Sequence, residues 1–300
     1  MNEKSVSRDP ASREVVLGQA PGRGRRLLLR PLASDDDYAR CEALQRATWG
    51  QDFVQIASAT MMMISQKMGG IAAGAFDDDG ELVGLVFGIT GLRHGRPAHW
   101  SHILAVVPEL HGHGLGRALK LYQKDRLLEI GVERMYWTYD PLESRNAHLN
   151  LNRLRAEPVE YLRDLYGDGS SNVLHRGLGT DRFLVEWRLD DEAVDRSIEP
   201  KATSSADSET TEIAIIMPRV NVDDQGRPLT DTLRLPDLNT LLVEIPTDIQ
   251  RLKTEDPELA VAWRTSTRQA LQHYMDAGHR VRRLLRDGRR CAYLLEKKRR

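Results

Sequence analysis

Residues 103–119 read ILAVVPELHGHGLGRAL, with glycines at alternate positions, Gly112, Gly114 and Gly116, between an apolar run and a helix-like one. Glycine allows sharp turns and lets a ligand approach the backbone closely. The first N–H groups of a helix have no partner within it and carry partial positive charge. A glycine turn that opens a helix is therefore an anion site, contributing about 0.3–1 kcal/mol per charge when exposed and about 2 when partly buried. Two familiar phosphate loops do not fit. The dinucleotide pattern needs glycine at its first, third and sixth positions. Counted from Gly112 the sixth is Arg117, and counted from Gly114 it is Leu119. The nucleoside-triphosphate loop needs Gly-Lys-Ser/Thr, which the chain lacks.

The loop resembles the acyl-coenzyme A signature of the GNAT N-acyltransferase superfamily. That signature has Arg or Gln, two free positions, Gly, one free position, then Gly or Ala, shortly after a Val-x-Pro strand exit. Here His111 stands in the Arg/Gln slot and Val106-Val107-Pro108 forms the exit. The resemblance covers residues 25–190 in element order. The whole chain also resembles a group of predicted GNAT proteins with stretches similar to residues 140–152 and 180–187. It implies an α/β (α+β) fold, a mixed and mostly antiparallel sheet flanked by helices, with a smaller C-terminal α/β module. It also implies an N-acyltransferase that moves an acetyl or larger acyl group from acetyl-CoA or another acyl-CoA to a small-molecule amine or amino acid. A non-catalytic acyl-CoA-binding or regulatory protein is the alternative, and a dimerisation scaffold with a vestigial loop a third.

The resemblance assigns parts to residues. Backbone of Leu104, Ala105 and Val106 would pair with the pantetheine arm. Amides of His111, Gly112, His113, Gly114, Leu115, Gly116 and Arg117 would hold the pyrophosphate. The strand near Thr138 would splay away to leave a slot for the thioester. The family's thiolate-protonating tyrosine falls on Leu151, so that acid is missing. Asn146 and Asn150, one turn apart, share a helix face that either meets the pantetheine arm or is simply polar surface. An amine of pKa ~10 needs about 4 kcal/mol to lose its proton at pH 7, so a base is required. The position of the family's glutamate is Trp100. His102, two residues on and on the same side of a strand, is the first candidate base, a histidine hydrogen-bonded in the sheet being the structural alternative. Asp140 and Glu143 are the reserve. Arg145, Arg176 and Arg182 are candidates to meet the carboxylate of a succinyl donor. His99, His102, His111 and His113 sit on a strand and a glycine loop without acidic or cysteine ligands nearby in sequence, so no metal is expected.

The elements that must position these groups follow from periodicity and caps. Residues 1–24 read as a mobile tail and 27–32 as the first strand. Ser34 caps a helix to Thr48, with Asp35, Asp36 and Asp37 in its first turn. A second helix runs from Val54 to Met68, stopped by Gly69-Gly70, with Met61, Met62, Met63 and Met68 as core filling or a flexible pocket. Strands at 71–76 and 82–90 flank an Asp-Asp-Asp-Gly turn. Further strands are read at 99–107, 135–139, 159–166 and 183–189, with helices to 130 and over 145–154. Residues 191–211 read as a linker. The C-terminal module, 212–300, has strands at 212–217, 241–245, 281–285 and 291–295 and a helix over 257–277. It resembles a degenerate second GNAT half without a glycine loop, and packs against the first domain or against a second copy in a homodimer.

Charge is balanced, with 43 Lys and Arg against 44 Asp and Glu, a formal net of -1, which argues against a nucleic-acid or anionic-membrane partner. No apolar run approaches the roughly 20 residues of a membrane span. Cys41 and Cys291 offer neither a disulfide framework nor a zinc spacing. A cytoplasmic setting is the expectation.

Overall fold

A computed structural model describes residues 11–17, 25–51, 53, 55–167, 178–191, 217–230, 235–287 and 290–298. The chain forms two compact units, residues 1–136 and 137–300. The first contains β1 (Arg13–Leu17), β2 (Arg25–Pro31), α1 (Asp35–Trp49), α2 (Ala59–Lys67), β3 (Ile71–Phe76), β4 (Leu82–Arg93), β5 (Arg96–Val106), α3 (Leu115–Glu129) and the start of β6 (Arg134–Tyr139). Its strands lie in the order β1-β2-β3-β4-β5-β6. All neighbours are antiparallel except β5 and β6.

Local chemistry accounts for the helices. Ser34 accepts from Asp37 N, and the Asp37 carboxylate returns to the Ser34 amide, closing a capping box. Arg30 binds the same carboxylate through both terminal nitrogens, at 2.7 and 2.9 Å. Helix α2 starts later than expected, at Ala59, because Ser58 accepts from Met61 N and sets the cap there; Val54 is outside the described residues. Of the methionine stripe, Met62 is buried, whereas Met61 and Met68 are exposed. The sheet carries one apolar cluster against α1 and α2, with Leu85, Phe87, Ile103 and Ala105, and another against α3, with Val83, Val86, Leu115 and Leu119.

Residues 13–17, within the stretch expected to be a tail, form β1, paired with β2 from Arg13↔Leu29 to Leu17↔Arg25. Tyr122 of α3 donates to Ala11 O at 2.7 Å, and Arg13 meets Asp125 at 2.7 Å. Residues 1–10 and 18–24 are outside the described residues.

In the second unit β6 ends and α4 (Ser144–Ala147) runs into a π-helical stretch, His148–Arg153. Strands β7 (Glu157–Leu162) and β8 (Arg182–Arg188) follow, in the order β6-β8-β7. A separate antiparallel sheet, β10-β11-β9, comprises β9 (Thr240–Ile245), β10 (His279–Asp287) and β11 (Arg290–Lys297). Helices α5 (Ile249–Glu255) and α6 (Pro257–Asp276) lie between β9 and β10 in sequence; α5 was not foreseen. The small sheet is tied to the β6–β8 region. Tyr293 donates to Pro141 O at 2.6 Å, its ring lies 5.5 Å from Phe183, and the Asn152 amide exchanges hydrogen bonds with the Leu284 backbone at 2.8 and 3.0 Å. Of the expected linker, 192–211 lie outside the described residues, as do 212–216 of the strand expected at 212–217. The fold class is the expected one: a mixed, mostly antiparallel sheet flanked by helices, and a smaller C-terminal sheet.

Candidate functional site

The glycine loop joins β5 to α3. Pro108–Leu110 makes one tight turn, and Gly112 and Gly114 then take φ of 80° and 90°, left-handed conformations that a residue with a Cβ adopts at a cost of about 1–2 kcal/mol. Gly114 is the N-cap of α3, with no side chain capping the helix. The first helical amide bonded back is Ala118, donating to Gly114 O at 3.0 Å. The amides before it form the exposed positive end of a 15-residue helix. A Cβ placed on Gly112 or Gly114 would meet no atom within 4 Å. The space over the loop is open, as an anion-binding cradle requires. His111 donates from Nε2 to Val106 O at 2.9 Å, and His113 from Nδ1 to His111 O at 3.0 Å. Both histidines brace the loop, and Val106 O, one of the groups assigned to a ligand, is engaged by His111.

Strand β5 pairs with β6 at His99↔Met135 and Trp100↔Tyr136. It continues to Val106 against β4, and its edge on the β6 side leads toward the glycine loop. The β4–β5 register shifts between Phe87↔Ile103 and Gly88↔Ser101, so His102 is the extra residue of a β-bulge. The bulge resets the alternation. His99 and Ser101 bond to Gln123 of α3, while Ile103 and Ala105 join the α1–α2 cluster. The His102 ring packs edge-on against Phe87, 6.2 Å between centroids, on that same α1–α2 side. His102 reaches solvent, yet the protein packed around it lowers its imidazole pKa from the ordinary value. It is neutral and able to accept a proton near pH 7.

On the α3 side lies a buried polar chain that sequence reasoning did not find. Thr90 Oγ1 donates to Gly69 O at 2.7 Å and so accepts from His99 Nδ1–H at 2.9 Å. His99 Nε2 then accepts from Gln123 Nε2 at 2.9 Å, Gln123 Oε1 accepts from Ser101 at 2.8 Å, and Ser101 Oγ accepts from Lys120 Nζ at 2.6 Å. Burial, with the Lys120 amine nearby, pushes His99 down to about 3. Burial lowers Lys120 well below the usual lysine value. The available signal was polar residues at i and i+3 on α3 opposite alternate polar residues on β5.

The second unit holds Asp140, Glu143 and Asn146. Asp140 is buried, with Arg264 Nη2 at 2.6 Å and the Leu142 amide at 2.8 Å; Arg182 lies 3.9 Å away. A carboxylate so bound is a poor proton acceptor. Glu143 accepts from Gln250, and burial raises its pKa. Asn146 is exposed, but Asn150 is buried and accepts from Trp137 Nε1 at 3.2 Å. Asn146 lies in α4 and Asn150 in the π-helical stretch, so the turn expected to join them is not regular α-helix. Leu151, in the tyrosine slot, is buried. Arg145 is exposed, and Arg176 lies outside the described residues. Among the described residues no group of three or more His, Cys, Asp or Glu is placed to hold a metal, and no helix is long and apolar enough to cross a membrane.

No protein-family model matches the chain, and no curated protein matches its sequence. Solved structures do. The NatC complex bound to Gag peptide and CoA aligns at 15% identity and a TM-score of 0.43, covering 54% of this chain and 98% of that one. Aminoglycoside 6'-acetyltransferase type Ii aligns at 18% identity and 0.43, covering 54% and 97%. Ard1 from Thermoplasma volcanium aligns at 12% and 0.42, covering 55% and 99%.

Proposed function

We propose that the protein is an N-acyltransferase of GNAT type that moves an acetyl group from acetyl-CoA to a small-molecule amine. The observation that carries this reading is the course of β5. It leaves its parallel partner after Trp100 and leads into a glycine turn at an uncapped helix N-terminus. A pyrophosphate would sit over Gly112 and Gly114 on the amides ahead of Ala118, with the pantetheine arm along the free edge of β5 as an added strand. His102 takes the proton from the acceptor amine. The amine lone pair then attacks the thioester carbonyl, and the C–S bond breaks with the electron pair leaving on sulfur.

Calorimetry on the full chain tests the donor site. Coenzyme A should bind the wild type, and Gly112→Ala with Gly114→Ala should weaken it at least tenfold while circular dichroism stays native. Unchanged affinity in the folded variant would remove the reading. His102→Ala should lower kcat roughly 10²–10⁴-fold and abolish the acidic limb of the pH–rate profile. Since burial depresses this imidazole, the limb should lie below the ordinary histidine value of about 6.5. A change confined to KM would make His102 structural. The buried Leu151 in the slot of the usual acid favours a second reading, a non-catalytic acyl-CoA binder. Thiol release with any amine decides between the two.

A further inference from the structure

The last rung that β5 shares with β6 is Trp100↔Tyr136, and directly over it lies a cavity of about 320 Å³. Ile89, Leu92 and Ala98 complete its apolar wall, and none of its lining residues is acidic. Residues directly opposite in an antiparallel pair share a face of the sheet. Ile89 faces Trp100 and Phe87 faces Ile103 in the β4–β5 ladder. Phe87 and Ile103 belong to the α1–α2 cluster, and β4 alternates regularly from Phe87 to Ile89, so the Ile89–Trp100 pair faces that side too. The His102 ring, packed on Phe87, lies on the same face. The bulge thus puts the candidate base on the face that carries Ile89, Ala98 and Trp100 of the cavity, next to the point where β5 parts from β6, while Leu92 and His99 border the cavity from the other phase of their strands. The one lining cation, Arg93, has its guanidinium 4.6 Å from the centre of the Tyr136 ring.

We infer that this cavity takes the body of the acceptor, and that the acceptor is a primary amine on an aromatic or branched-alkyl body rather than a polyamine or a polyhydroxylated amine. The inference rests on the acyl-transfer reading and names the substrate class of that site. Two features carry it. An apolar wall with Trp100 and Tyr136 rewards an apolar body, which would leave water on entering. A single arginine, with no carboxylate among the lining residues, repels a second positive charge on the ligand, so a polycation is disfavoured by charge as well as by desolvation. A cavity of this size is at the lower end of those that hold small ligands, enough for a phenylethyl group.

Equilibrium binding tests this without turnover. 2-Phenylethylamine, ethanolamine and spermidine are titrated calorimetrically into the full chain, with and without saturating coenzyme A. Phenylethylamine should bind at least tenfold tighter than the other two. Leu92→Asp, at an exposed position, should fold normally, weaken phenylethylamine about tenfold and strengthen spermidine. Trp100→Phe should weaken phenylethylamine several-fold, and neither variant should alter affinity for coenzyme A. Equal binding of the three amines, or an unchanged order in Leu92→Asp, would overturn the inference. Selective amine binding without any coenzyme A binding would instead overturn the acyl-transfer reading and leave the pocket standing.

Discussion

Two buried networks, one in each unit, are built in opposite ways. In the first, Lys120, Ser101, Gln123, His99 and Thr90 form a directional chain of donors and acceptors, with Met135 Sδ also near the Lys120 amine at 3.9 Å. There burial prevails over charge, and both the imidazole and the amine are driven toward their neutral forms. In the second, buried carboxylates meet guanidinium groups: Asp140 with Arg264 and Asp181 with Arg268, each at 2.6 Å, with Tyr161 also donating to Asp181 at 2.6 Å. A neutral chain holds geometry only while its protons stay in place. A paired charge holds geometry over a wide pH range but makes each partner dependent on the other.

Acid separates the two most strongly. His99 has its folded-state pKa pushed from 6.5 to about 3, so the unfolded chain takes up the proton first as the pH falls. Its contribution is intact above about 6.5 and declines toward 3, a loss of up to about 5 kcal/mol. Urea midpoints at pH 7, 5 and 4 should fall more steeply for the wild type than for His99→Gln; parallel curves would break the comparison. Next in size, Arg264→Ala at pH 7 takes from Asp140 its 2.6 Å partner, leaving Arg182 at 3.9 Å, and should cost up to about 3 kcal/mol, with Arg264→Met plus Asp140→Leu recovering most of it. If the single variant were near neutral, the second unit would not depend on paired charge. The smallest effect is at Lys120. Lys120→Met, similar in shape, should change stability by under about 1.5 kcal/mol at pH 7. Because the amine's folded-state pKa is depressed, the wild type pays for deprotonation at neutral pH. It should gain on the variant as the pH climbs toward the unfolded value of about 10.5. A constant difference would mean that Lys120 is charged in the fold.

What sequence could show was local. Ser34 with Asp37 three residues on marked the start of α1, and the glycine turn marked the start of α3, because caps and left-handed turns depend on neighbours in the chain. The bulge at His102 was invisible, since a period of two carries no sign of one extra residue, although it keeps His102 on the face first assigned to it. The π-helical stretch that begins after Asn146 likewise carries no break in composition that would mark it. The partners that define the buried networks are remote: Arg264 reaches Asp140 across 124 positions, and Lys120 reaches Ser101 across 19. Nothing short of the fold could pair them. The cavity over Trp100 was missed for the same reason, because Ile89 and Trp100 meet only through the ladder.

Strand β1 has a consequence for how the protein behaves in concentrated solution. It lies against the outer side of β2, fastened by Tyr122 and Arg13 to Ala11 and Asp125. β1 is itself the edge of the sheet, but it is only five residues long, with Arg13 and Glu14 exposed; without it the seven-residue β2 would become the edge, and a longer open row of N–H and C=O groups more readily accepts a strand from another molecule. A chain beginning at Arg25 would keep the glycine loop, the bulge and the apolar cavity. It should nonetheless self-associate as its concentration rises, and a short peptide copy of residues 11–17 should suppress that association.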